Sequence, residues 1–223
     1  MKRLLLIALL ALVAVEFSFS QELYPSSLGV YLGGKDGIST TVAPAGRGNG
    51  QAFSDLPDFG FSYYHPLGEV NNLGFKFDLG FERNVFTVVR KTDDKKFYHR
   101  FDYISINPNF FFQGAFLGLA YNIPIHADWE GHEIKSGALA SGFEVTGGIE
   151  FNLLEDKTGR LNILLKGNYV LYGVYDDFSK NDPLGAVIPS ATNENHNPRP
   201  FGGMLGVSYY FNLKEPKSIE YEL

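Results

Sequence analysis

Hydrophobic and polar residues alternate with a period of two through eight stretches of the chain, the spacing of β-strands with one apolar face. The plainest stretch sets Leu73, Phe75, Phe77, Leu79 and Phe81 against Gly74, Lys76, Asp78, Gly80 and Glu82. The other apolar rows begin at Leu28, Phe59, Ile104, Leu117, Phe143, Leu161 and Phe201. The last of them, Phe201, Leu205, Val207, Tyr209 and Phe211, has aromatic residues at both ends.

The connections alternate as well. Short turns ("HPLGEVNN", "QG", "EDKTG") join stretches two to three, four to five and six to seven. Long polar segments fill Lys35 to Asp58, Arg90 to Lys96, His126 to Ser141 and Tyr175 to Pro200. This order predicts an all-β fold, an eight-stranded antiparallel up-and-down transmembrane β-barrel with short turns at one end and long loops at the other. Each stretch is near the about 9–11 residues that a tilted strand needs to cross a bilayer.

The same alternation suits a secreted lipocalin-like barrel with its apolar face inward, so the polar face has to decide. That face carries Gly, Ala, Ser, Thr and Asn with isolated charges, as a narrow, side-chain-filled lumen requires. Phe59, Phe75, Phe112, Phe143, Phe201, Tyr209 and Phe211 then form interfacial aromatic girdles. The apolar face expects lipid.

Composition agrees. Phe 20, Tyr 13 and Gly 25 are high, and the net charge of −6 without a basic cluster argues against nucleic acid. Lys2 and Arg3 precede twelve apolar residues, Leu4 to Val15, followed by Ser18 and Ser20. This reads as a signal peptide over 1–20, cleaved after Ser20, and its apolar run is too short to span a bilayer. The barrel is expected over 21–213 with a short periplasmic tail over 214–223. With no cysteine there is neither a disulfide nor a lipoprotein anchor.

"GVSYYF" and "YISINPNFFF" resemble strands of the eight-stranded outer-membrane β-barrel family of OmpX-like, OmpA-N-terminal-like and PorT-like proteins. The resemblance spans Leu28 to Phe211. It implies an outer-membrane location and lipid contact. It further implies that the strand of Phe201, Leu205, Val207, Tyr209 and Phe211 is the signal read by the barrel-insertion machinery.

The inward charges are Lys76, Asp78, Glu82, Glu144, Glu150 and Lys166, and the "EDKTG" turn places Glu150 roughly level with Lys166. Charges in a narrow barrel must be paired or hydrated, so they are read as a structural plug rather than an ion path. "HADWEGHE" holds His126, Asp128, Glu130, His132 and Glu133 beside Trp129, but at no recognised metal spacing, so no metal or cofactor is assigned. A lipid-modifying enzyme would need a Ser near a His; His65, His99, His126, His132 and His196 are the bases, and Ser62, Ser105 and Ser141 the nucleophiles to consider. No catalytic motif accompanies them. The expected function is therefore non-enzymatic: a monomeric barrel with a structural or surface-interaction role, meeting an unidentified partner through its loops. The alternatives are a deacylase or acyltransferase, a narrow pore or carrier, and the lipocalin-like barrel.

Overall fold

A computed structural model describes residues 22–43, 45–68, 72–129, 131–134, 136–176, 197–215 and 217–218. The segment read as a signal peptide and most of the fourth loop lie outside them. Eight strands form the wall: β1 (Ser27–Ser39), β2 (Asp58–Pro66), β3 (Leu73–Arg90), β4 (Lys96–Phe112), β5 (Ala115–Trp129), β6 (Gly142–Glu155), β7 (Gly159–Val170) and β8 (Pro200–Asn212). Each pairs antiparallel with its sequence neighbours, and β8 pairs with β1 from Asn212↔Ser27 to Pro200↔Ser39. The ring is closed, leaving no strand edge open along its path.

Within the apolar band the period-two code holds. Phe77 is 42 % exposed on the outer face, and its neighbour Asp78 is 3 % exposed in the lumen. Phe59, Phe81, Tyr121, Phe143 and Phe201 ring the long-loop side of the band; Tyr63, Phe75, Phe110, Phe112, Tyr209 and Phe211 ring the short-turn side. Phe59 stacks on Phe81 at 5.4 Å, and Phe75 meets Phe110 edge-on at 6.3 Å.

Two long connections differ from expectation. β1 runs on to Ser39, and Arg47–Gly50 and Ala52–Phe53 fold back as wall, pairing with β3 and β1 above the end of β2. There β1 and β3 approach directly: a Cβ on Gly37 would lie 2.4 Å from the Val85 carbonyl oxygen. Backbone pairing holds this Gly, Ser and Thr-rich segment, so its side chains give no alternating signal. Likewise β5 continues to Trp129 and pairs with His132–Glu133, past the expected strand end at Ile125.

The cause of this second difference is an inversion. Above the band, β3 to β5 continue, but their inward residues become aromatic (Phe86, His99, Phe101, Trp129) and their outward ones charged (Arg83, Arg100, Asp102, Asp128). A β-bulge at Asp102/Tyr103 accompanies the change. Strands leaving lipid for water must exchange the polarity of their outer face.

At the short-turn end, Glu22–Leu23 pairs with Lys217–Ser218, so part of the tail is held against the start of the barrel domain.

Candidate functional site

The lumen is built in three layers. The middle layer is ionic. Lys166 Nζ lies 2.5 Å from Glu82 Oε1, and Lys35 Nζ lies 3.5 Å from Glu82 Oε2 and 3.2 Å from Asp58. Lower down, Lys76 bridges Glu150 at 2.5 Å and Asp78 at 3.4 Å. Ser62 Oγ donates to Asp78 at 2.5 Å, and the Tyr210 hydroxyl donates to Glu150 at 2.9 Å.

Glu150 and Lys166 lie two positions apart in the hairpin register but do not pair. On the hairpin, Gly148 stands opposite Lys166, and Leu164 opposite Glu150. Long lysine side chains instead cross the lumen to carboxylates on the far wall. Sequence reasoning left Lys35 and Asp58 out of this network, although Lys35 sits on the polar face of β1. Asp58 looked like a loop end, and it is the first residue of β2, accepting from the Arg83 backbone N–H at 2.8 Å.

The floor, at the short-turn end, is aromatic. Arg160 is buried there with its guanidinium 4.1 Å from the Tyr24 ring centroid, 4.3 Å from Tyr210 and 5.2 Å from Tyr64. Such cation–π contact satisfies a charge that the turn-end position of Arg160 in sequence had concealed. Lys76 similarly lies 4.2 Å over Phe116.

The ceiling lies above the band. Phe86 stacks on His99 at 4.9 Å and on Phe101 at 5.9 Å, and Phe101 meets Tyr175 edge-on at 5.7 Å. Ile134, Ala138 and Leu139, from the loop after β5, tuck into this cluster. The sequence predicts a polar surface loop here, and its apolar residues instead close the barrel mouth. His99 is fully buried with neither ring nitrogen bonded to a protein group, and burial lowers its pKa to about 3.

Outside the wall, just above the band, lies an ionic clasp. Arg83 grips Asp102 through two bonds, Nε to Oδ1 at 2.5 Å and Nη2 to Oδ2 at 2.7 Å, and reaches Asp55 at 2.6 Å. Arg100 bonds Asp128 at 2.9 Å, and His126 Nδ1 lies 3.4 Å from Asp102. Burial alone would raise the pKa of Asp55, but the hydrogen bond and charge of Arg83 outweigh it and hold it below the usual carboxylate range. The switch from apolar to polar residues at Arg83, Asp102 and His126 is the sequence signal for this level.

The candidate chemical residues are scattered. Ser62 and Ser105 are buried in the lumen, and His99 in the ceiling. Ser26 Oγ lies 3.2 Å from His65 Nδ1, but the other group at that nitrogen is the Tyr63 hydroxyl, at 3.3 Å, rather than a carboxylate. In the His-rich loop, Trp129 pairs with His132 and Asp128 with Glu133; Glu130 and His196 lie outside the described residues. Among the described residues no three His, Asp or Glu side chains are grouped to hold a metal.

No protein-family profile matches the chain, and no curated protein matches it in sequence. Solved structures do resemble it at low identity. Ail, the attachment invasion locus protein of Yersinia pestis, is 15 % identical with a TM-score of 0.39, covering 84 % of this chain and 99 % of its own. OprG of Pseudomonas aeruginosa is 12 % identical at 0.41, covering 86 % and 99 %. Neisserial surface protein A is 15 % identical at 0.39, covering 83 % and 97 %. Independently of these likenesses, the closed ring of eight strands, the outward apolar band between aromatic girdles and the ionic lumen settle the architecture. The chain is an eight-stranded transmembrane β-barrel of the outer-membrane type.

Proposed function

We propose that the protein is a sealed outer-membrane barrel that acts through its outer surface and loops rather than through its lumen. One observation carries this reading. The interior is blocked in series by the Arg160–tyrosine floor, the lysine–carboxylate layer and the Phe86–His99–Phe101 ceiling. Eight strands leave an interior narrow enough for side chains to block, and here three layers of them cross it. The clasp of Arg83, Asp102 and Asp55 sits where the wall meets polar headgroups and fixes the barrel's depth. The tall β3–β5 wall above it is the platform for a surface partner. The aromatic-ended β8 remains the segment through which insertion machinery would engage the chain.

The test is reconstitution of the refolded chain in planar bilayers, with lipid hydrolysis assayed on the same preparation. The expected result is intact membrane with neither stable current steps nor released fatty acid. Reproducible single-channel steps would overturn the sealed reading, and fatty-acid release would replace it with the enzymatic one.

A further inference from the structure

Among the described residues the lumen holds four buried cations, Lys35, Lys76, Lys166 and Arg160, against five buried carboxylates, Asp58, Asp78, Glu82, Glu144 and Glu150. Glu144 is the carboxylate without an ion pair. It is fully buried on β6, opposite the small Ala120 of β5. Its Oε2 accepts from Asn122 Nδ2 at 3.1 Å and from Asn84 Nδ2 at 3.4 Å.

The other side of this group is unsatisfied. Glu144 Oε1, Asn122 Oδ1 and Ser105 Oγ are all buried and have no protein hydrogen-bond partner. Ser105 and Asn122 are direct cross-strand neighbours on the inward face, and Asn122 is bonded to Glu144, so the three residues adjoin one another on β4, β5 and β6. The unpartnered Tyr31 hydroxyl comes to the Gly80 position, opposite Ser105 on β3. Two pure acceptors, a carboxylate oxygen and an amide oxygen, share this space with hydroxyls. Asn107 Nδ2, two residues along β4, is the unpartnered donor nearby and suits a water in the same chamber.

We infer that the Glu144 chamber is a binding site for one monovalent cation of the sodium or potassium class, held by Glu144 Oε1, Asn122 Oδ1 and Ser105 Oγ. Hard oxygen donors suit such an ion. The deficit is a single charge, so a monovalent ion neutralises the lumen, whereas a divalent ion would reverse its sign. An uncompensated buried carboxylate is expensive, which ties cation binding to the stability of the fold.

The test is thermal unfolding of the full barrel, refolded in sodium, potassium, calcium or choline chloride at equal ionic strength. Choline is too large and lacks a bare charge to enter the chamber. The site predicts a melting temperature that rises with sodium or potassium concentration over choline. In Glu144→Gln this dependence disappears. In Ser105→Ala, which keeps the charge and provides the readout should Glu144→Gln fail to refold, the half-maximal cation concentration shifts upward several-fold. Equal melting in sodium, potassium and choline would overturn the site, leaving Glu144 neutralised by a proton. Stabilisation by calcium alone, or cation dependence that survives in Glu144→Gln, would overturn it as well.

Discussion

Lys166 on β7 reaches across the lumen to Glu82 on β3, Nζ to Oε1 at 2.5 Å, and both side chains are buried. The pair ties strands that are not neighbours in the wall, so it braces the barrel across its width. Removing one partner of a buried pair typically costs about 3–5 kcal/mol, because the survivor is left charged in a low dielectric. Lys166→Ala is therefore expected to lower folding stability by up to about that amount, leaving Glu82 to share Lys35 with Asp58. The double variant Lys166→Met with Glu82→Gln should recover much of the loss. Denaturant titration of both variants in lipid vesicles checks this; equal losses in single and double variants would show that the pair does not act as a unit.

The ceiling should be acid-sensitive through His99. Its folded pKa of about 3 lies below the ordinary 6.5, so the unfolded chain binds the extra proton between those values. Its contribution is complete above about pH 6.5 and declines as pH falls toward 3, at roughly 1.4 kcal/mol per pH unit. Trp129, the only tryptophan in the chain, lies 6.1 Å from the His99 ring and reports on this cluster. Its fluorescence-detected unfolding should lose this pH slope in His99→Phe. An unchanged slope would assign the acid sensitivity to other groups.

Gly37 closes the wall above β2. A Cβ there would meet the Val85 carbonyl oxygen at 2.4 Å, a backbone atom that cannot swing aside. Gly37→Ala should thus cost about 1–3 kcal/mol by overpacking. Gly34, with nothing within 4 Å of its Cβ position, should tolerate the same change. Denaturation midpoints of the two variants in bilayers make the comparison.

Much of the barrel was legible because a membrane wall writes its two solvents into adjacent residues. β3 shows both signals: Phe75 to Phe81 face out and Lys76 to Glu82 face in. The reading stopped where that rule inverts. Arg83, Asp102 and His126 are outward yet polar, and Phe86, Phe101 and Trp129 are inward yet aromatic. The same alternation therefore carries opposite meaning above the band, and β5 looked as if it ended at Ile125. The partners of the inward charges were not legible at all. Register places Lys166 near β6, but a lysine side chain is long enough to cross the lumen, and only closure of the ring brings Glu82 within its reach. Arg160 was hidden for a related reason, since its cation–π partners Tyr24, Tyr64 and Tyr210 come from three other parts of the chain.

The orientation of the wall underlies every statement above. If Phe77 meets hydrocarbon, Phe77→Arg should cost about 2–4 kcal/mol in bilayers. A soluble barrel would also lose stability on that change, so a direct contact measurement is needed. The chain has no cysteine, so Phe77→Cys, Asp78→Cys and Arg100→Cys can each carry a single fluorescent label. In vesicles with lipid-soluble quenchers, the label at 77 should be quenched strongly and the label at 78 shielded. The label at 100 should respond instead to a water-soluble quencher. Equal quenching at 77 and 78, or stronger quenching at 78, would contradict the assignment of the apolar band to lipid.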